Sequence, residues 1–396
     1  MTLPGLLDQR RVVLCVGSGG VGKTTTSAAL AVAAARRGRR TAVLTVDPAQ
    51  RLRDALGLGE RDDRLHTVHL AGGARLDAML LDVKRTFDEL VVGLASSPAQ
   101  AQRILDNRLY QNLSGTLAGS AEYMAVESVL RLAETGEHDL LVVDTPPARH
   151  AVDFLDAPRR LLALLDSRAF AILKDPSSIL PAAPSRLASM VLTGILRGLE
   201  RFTGIGLVRE VGEFVRVIED LTEGLRARVA QVDALIKSDT TALLLVTAPE
   251  PHLVGETEEL AQALAAVHLR VHGVVVNRMV PSVIYGPGAP KPQPPGDIDA
   301  PFRRRLERAF DDLRALAARQ DVVLEPLLRT AGAPVLAEVP MLTTPPGSLA
   351  DLEKVAGYLV PDLAAVSSAC SGAPSSRASS ATADRPGVAR PRAGRP

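Results

Sequence analysis

The chain has 396 residues, a net charge of +1, and a composition that is 46% hydrophobic but only 3% aromatic, with no tryptophan. That length supports a large aliphatic core, while the balanced charge and scarce aromatics exclude a basic field or a stacking platform for nucleic acid. Two cysteines, Cys15 and Cys370, exclude a disulfide framework or a Cys-x-x-Cys zinc site and fit a reducing cytoplasm.

Residues 1–11 contain no apolar signal core, and no apolar run approaches the ~18 residues of a membrane span, so no transmembrane helix is expected. The first strong element is a β-branched run over 12–16, read as a buried strand. Gly17-Ser18-Gly19-Gly20-Val21-Gly22-Lys23-Thr24 follows and fits G-x-x-x-x-G-K-[ST] at every fixed position. An alanine-rich helix former runs from Thr25 to Ala35. Strand, glycine loop and helix together make a cradle for nucleotide phosphates. The glycines let backbone N–H groups close on an anion, and the helix N-terminus adds partial positive charge. Lys23 can reach the β- and γ-phosphates of ATP, and the Thr24 hydroxyl can ligate Mg²⁺.

Residues 40–46 read as a second strand, ending at Asp47-Pro48-Ala49. A carboxylate there points into the crevice at a strand's carboxyl end, where it can orient water or hold Mg²⁺ through water. Asp-Pro is also good N-cap chemistry for a helix over 50–56, and one residue can serve both ends. Residues 76–82 predict a strand and 84–92 an amphipathic helix. The small-residue break over 113–119 is either a close approach to a ligand or partner, or only a loop. Residues 139–144 predict a strand buried on both faces and ending in Asp144, which with the phosphate loop supplies the second Mg²⁺ contact. Thr145 to His150 would then sense the γ-phosphate. Arg149 is open between a phosphate contact and a surface ion pair.

From 154 to about 237 there is no strand signal, and prolines such as Pro158 interrupt the helical pattern. Residues 186–201 carry a wide apolar face, read as packing within a helical lobe in preference to an exposed client groove. The sheet resumes over 241–247 and 270–276. Asn277 at the end of the latter can read an adenine edge with one donor and one acceptor, or simply form a turn. Residues 281–301 read as a loop, 299–319 as a charged helix, 334–339 as a last strand and 349–359 as a closing helix. Residues 367–396 have almost no large apolar side chain and are expected to be disordered.

These motifs together resemble the ArsA-type ATPases, with their deviant Walker A loop. That family includes the arsenite-pump ATPase and the ATPase that guides tail-anchored proteins to membranes. The resemblance rests on the loop, Asp47-Pro48-Ala49, residues 76–82, Ala118 to Glu122, Asp144-Thr145-Pro146-Pro147 with His150, Asn277, and Val339-Pro340. It implies an α/β fold: a mostly parallel sheet flanked by helices, of the P-loop NTPase type. The ATPase domain would span 1–365, with a helical subdomain inserted at about 84–135 and 154–237 and a tail over 366–396. It also implies a dimeric ATPase with ATP and Mg²⁺ as cofactors. Asp47 and Lys23 would be the catalytic residues. Gly19, Gly20, Val21, Gly22, Lys23, Thr24, Thr25, Asn277, Pro340 and Met341 would bind nucleotide, and Thr24 and Asp144 the metal. A membrane-protein client is the implied partner of the helical lobe.

Departures from that pattern qualify the expectation. Ser18 stands where the family carries a signature lysine that reaches across the dimer, and a serine supplies no positive charge. The dimer is therefore either a homodimer or a heterodimer with a paralogous ATPase that provides the lysine. A catalytically weak regulatory subunit is the alternative in that case. Cys15 in a core strand and Cys370 in the tail make no thiol site for arsenite, and no Cys pair exists to share zinc, which argues against an arsenite-transport subunit. Ala148-Arg149-His150 stands where Thr-Gly-His is common. A partition ATPase ranks last, because the tail has no amphipathic apolar face.

Overall fold

The computed structural model describes residues 1–46, 51–56, 65–107, 110–111, 120–167, 221–286, 289–290 and 298–362. Asp47, the break over 113–119, the apolar face over 186–201 and the tail over 366–396 lie outside the described residues.

One sheet of eight strands carries the chain. The strands are β1 (Val12–Val16), β2 (Thr41–Thr45), β3 (His66–His69), β4 (Arg75–Leu80), β5 (Leu140–Asp144), β6 (Thr241–Thr247), β7 (Val271–Met279) and β8 (Val335–Pro340). Their order is β3-β4-β2-β5-β1-β6-β7-β8. Neighbours are parallel except the β3–β4 pair. The expected α/β architecture is therefore present.

Every residue of β1, β2, β5 and β6 is buried, as in a sheet covered on both faces. Period-two alternation still sorts their side chains. Val13, Cys15, Val43, Val142 and Leu244 face one core, and Val12, Leu14, Val16, Val143 and Leu245 face the other. The first core is closed by α1 (Leu3–Gln9) and α2 (Lys23–Arg36), with α3 (Arg51–Leu56) beside them. In α2, Ala28, Ala29, Ala31, Ala33 and Ala34 are all buried, so the helix lies close to the strands.

The second face is covered mainly by α4 (Val83–Leu94), α6 (Ser120–Thr135), α7 (Ala148–Leu165) and α8 (Thr222–Lys237), while α5 (Pro98–Leu105) packs outside them on α4. The chain ends with α9 (Leu253–Ala266), α10 (Ser282–Tyr285), α11 (Ala300–Ala331) and α12 (Leu349–Leu359), the last of which packs on α2.

Several elements differ from the sequence expectations. α1 forms where only the lack of a signal was noted: Thr2 caps it by accepting from the Gly5 N–H at 3.2 Å, and Leu3, Leu6 and Leu7 are buried. β3 escapes notice because Val68 is its one fully buried residue. The strand expected over 76–82 ends at Leu80, and Asp82 instead caps α4, its Oδ1 accepting from the Arg85 N–H at 3.0 Å. Pro158 lies inside α7, where buried Phe154, Leu155 and Ala157 hold the helix on the core. Residues 282–285 of the expected loop form α10.

The helix expected to stop at 319 runs on to Ala331, through Pro326. Proline removes the N–H that would pair with the Val322 carbonyl. Val322 is 72% exposed, which leaves that carbonyl to water. Buried Gln320, Leu324 and Leu327 anchor this second half, and Gly332 caps it in the left-handed region. The Gln320 amide donates Nε2–H to the Val280 carbonyl at 2.7 Å and accepts the Val280 N–H on Oε1 at 2.9 Å. A buried side chain thus completes the backbone pairing where β7 ends.

Helices α6 and α8 are joined by an ion-pair cluster around the buried Glu127. Arg228 on α8 donates Nε–H to Glu127 on α6 at 2.6 Å and also reaches Glu134 at 2.7 Å. Tyr123 donates its hydroxyl to Glu127 at 3.3 Å. Burial pushes the Glu127 carboxyl up, against the lowering pull of Arg228. For Arg228 burial acts downward, but its bonds to Glu134 and Glu127 outweigh it and the net shift is upward.

Gln320→Leu leaves the Val280 N–H and carbonyl buried without partners, at roughly 1–3 kcal/mol for each orphaned group. A loss of about 2–6 kcal/mol in urea-denaturation stability is expected, with the far-UV circular dichroism of the folded state unchanged.

Candidate functional site

The carboxyl ends of β1, β5, β6 and β7 meet where the strand order turns outward in both directions from β1, the position at which open α/β sheets bind ligands. The glycine loop leaves β1 there. Gly17 has φ +152°, and a Cβ on it would stand 2.1 Å from the Val246 carbonyl oxygen of β6. Gly22 has φ +93°, and a Cβ there would stand 2.2 Å from Asn277 Nδ2. No side chain fits at either position, so the glycines at these two motif positions are explained by close packing.

Gly22 is the N-cap of α2 and offers no side-chain cap. The first-turn N–H groups of a helix have no intrahelical partner, and here they face the loop with the dipole's positive end. Lys23, 7% exposed, folds back so that Nζ donates to the Ser18 carbonyl at 2.8 Å. The ammonium is thereby held across the mouth of the loop. Ser18 is itself buried and brings no charge.

Asp144 gathers the neighbouring elements. Its Oδ2 accepts the Thr24 hydroxyl at 2.7 Å and the Thr45 hydroxyl at 3.0 Å. It pairs in register with Cys15 of β1 and Thr45 of β2. The next residue, Thr145, donates its hydroxyl to the Cys15 carbonyl at 2.7 Å. A carboxylate and a hydroxyl within hydrogen-bond distance, buried beside an open helix N-terminus, are the hard oxygen donors that suit Mg²⁺. The residues present therefore fit that ion. Thr25 is half-buried on the first turn of α2.

Of the expected base-binding residues, Asn277 reaches this loop, and Pro340 and Met341 lie beside the end of the same strand, β7. Asn277 on β7 donates Nδ2–H to the Val21 carbonyl at 2.8 Å, and its Oδ1 accepts the Arg278 N–H at 2.9 Å. One N–H and one lone pair of the carboxamide remain beyond these two bonds. Pro340 pairs with Met279 at the end of β8, and the Met341 N–H donates to the Met279 carbonyl at 2.8 Å. Met341 is half exposed beside that strand end. His150 is exposed on α7, with Nδ1 4.0 Å from Asp153, so it stands apart from the buried part of the site.

Two residues absent from the sequence reading also reach the loop. Arg278 donates Nη2–H to the Gly20 carbonyl at 2.5 Å and Nη1–H to Glu250 Oε1 at 3.1 Å. Thr45 shares Asp144 with Thr24. Thr45 was legible as the last residue before Val46-Asp47, but Arg278 was not, because its position depends on a backbone irregularity in β7.

Comparison with known proteins adds the matches of the whole sequence. The sequence profile of the ArsA ATPases, described as anion-transporting ATPases, matches residues 10–313. The ATPase GET3 of Chaetomium globosum is 28% identical over 333 residues, covering 83% of this chain and 88% of that protein. That of Phaeosphaeria nodorum is 27% identical over 333 residues, covering 83% and 92%. That of Paracoccidioides lutzii is 29% identical over 293 residues, covering 70% and 76%. Among the described residues, no helix is long and apolar enough to cross a membrane.

Cys15 lies under the phosphate loop, and burial pushes its thiol up to about 12. Burial thus keeps it in the thiol form, not the reactive thiolate. In a Cys370→Ser background the native protein is expected to resist maleimide, while the guanidinium-unfolded chain takes up one label, as read by intact mass.

Proposed function

We propose that this chain, which belongs to the anion-transporting ATPase family of the ArsA type and is an ATPase, works as a dimeric nucleotide-driven switch for a protein client. The observation that carries the nucleotide half is the uncapped N-terminus of α2, with Lys23 folded over the loop and Thr24 bonded to Asp144. Backbone N–H groups and the α2 dipole would bind the phosphates, and Lys23 would exchange the Ser18 carbonyl for a phosphate oxygen. Thr24 and Asp144 would hold Mg²⁺, which when bound neutralises charge on the phosphoryl oxygens. Asp47, two residues beyond the end of β2 in the sequence, would orient the attacking water. Asn277 and the backbone at Pro340 and Met341 would border the adenine. Asn277 can use its remaining N–H and lone pair for the base while still gripping the loop.

The client half rests on family likeness. Relatives carry the name ATPase GET3, and the family includes the ATPase that guides tail-anchored proteins to membranes. A membrane-protein segment is accordingly the client class we propose, with the region between α7 and α8 as its place of contact.

A second reading is favoured by one observation. Ser18 is buried at the loop and offers no cation. If a positive charge is needed at that position across a dimer interface, a paralogous subunit would supply it, and this chain alone would bind ATP while turning over slowly. Steady-state phosphate release by the isolated protein separates the two readings: brisk turnover removes the second.

Lys23→Ala is expected to abolish ATP binding in isothermal titration, and unchanged binding would sink the assignment of the site. Asp47→Asn is expected to keep ATP affinity within about threefold while lowering kcat about 10²-fold or more, as loss of a positioned proton acceptor does.

A further inference from the structure

The end of β7 is irregular. Its register with β8 shifts between Val276 and Met279, and Asn277 and Arg278 fall within that shift. Arg278 has φ 60°, in the left-handed region that L residues with side chains avoid. A bulge re-aims side chains that a regular strand would alternate between faces. Here it turns two consecutive side chains onto the same partner. Asn277 takes the Val21 carbonyl and Arg278 the Gly20 carbonyl. Arg278 is itself steadied by Glu250, in the turn between β6 and α9, where the Glu250 N–H donates to the Ala248 carbonyl at 2.8 Å.

The geometry of the peptide bond gives these contacts their meaning. In a planar trans peptide the carbonyl of one residue and the N–H of the next point in opposite directions. Holding the Gly20 carbonyl outward therefore aims the Val21 N–H inward, and holding the Val21 carbonyl outward aims the Gly22 N–H inward. A phosphate loop needs its N–H groups toward the anion and its carbonyls away, because a carbonyl turned inward repels a phosphate oxygen. The loop tip is short of side chains that could enforce this: Gly19 and Gly20 are exposed and have none.

We propose that Arg278 is a positioning residue for nucleotide. It fixes the Gly20–Val21 peptide with its N–H facing the phosphates, with Glu250 holding the guanidinium in place. A guanidinium suits this task because its rigid fork holds two N–H donors at a fixed spacing, one on the Gly20 carbonyl and one on the Glu250 carboxylate, whereas an ammonium on a flexible stem has no such fixed pair. The bond to Gly20 is charge-assisted and correspondingly strong. This inference rests on the phosphate loop being the nucleotide site.

The test compares Arg278→Ala, Arg278→Lys and Glu250→Gln with the unmodified full chain, in Mg-ATP titration and steady-state hydrolysis, with Lys23→Ala as the control. Arg278→Ala is expected to raise the Kd and KM for Mg-ATP about tenfold, the cost of one misdirected hydrogen bond to a charged ligand. The kcat should stay within about twofold, and the thermal midpoint without nucleotide should hold, because Arg278 is half exposed. Arg278→Lys should recover less than half of that loss. Glu250→Gln should weaken binding in the same direction by a smaller factor, and the double variant should show less than the sum of the two effects.

Tighter ATP binding in Glu250→Gln would overturn the proposal, since it would mean that Arg278 acts as a free cation on the phosphates. Full recovery by lysine would overturn it for the same reason. A fall in thermal midpoint and kcat with KM unchanged would overturn it in favour of a purely structural role. If Lys23→Ala retains ATP binding, the site assignment itself fails. If Lys23→Ala abolishes binding and Arg278→Ala changes nothing, only the present inference fails.

Discussion

One carboxylate oxygen, Asp144 Oδ2, is shared by hydroxyls from two other elements, Thr24 on α2 and Thr45 on β2. Around it the protein brings together the end of β5, the end of β2 and the start of the phosphate-loop helix. The group is 1% exposed, and a buried carboxylate is tolerated only when hydrogen-bonded or paired with a cation. The sheet order places β5 between β1 and β2, so this acid has a neighbour on each side. The parallel register then sets Cys15, Asp144 and Thr45 level with one another. The site is thus a consequence of strand order.

The phosphate loop depends on its surroundings in a complementary way. Its glycines have no side chains to hold it, so neighbours do. β6 crowds Gly17, Asn277 crowds Gly22, and Asn277 and Arg278 hold consecutive carbonyls. Lys23 is held from within by the Ser18 carbonyl. The loop's shape is thus set by contacts from the neighbouring strands, and donors held in place by the fold avoid the free-energy cost of ordering on binding.

Much of this was legible from the sequence. The loop motif, the strand ending in Asp144 and the aliphatic runs of β1, β2, β5 and β6 each carry a local signal that tertiary structure did not override. What was not legible shares a physical cause. β3 contributes one fully buried side chain, α1 is a single short helix whose leucines matter only once α2 lies beneath them, and α11 continues past Pro326 because Leu324 and Leu327 are buried from outside the helix. The bulge at Asn277 and Arg278 has no local signature at all, since it exists only through the carbonyls it binds. The strand expected over 76–82 is two residues too long for a local reason: Asp82 turns its carboxylate to cap the helix that follows.

The Arg228 cluster bears on motion. Glu127 and Glu134 sit on α6, and Arg228 sits on α8, the first described helix after residue 220. Separating such a pair would strand a charge in a poorly solvated place, whereas displacing both helices together leaves the pair intact. Helices α6 and α8 are in this sense yoked. A displacement of either helix would therefore carry the other with it, as a tilt of the α6–α8 pair with little sliding of one helix past the other.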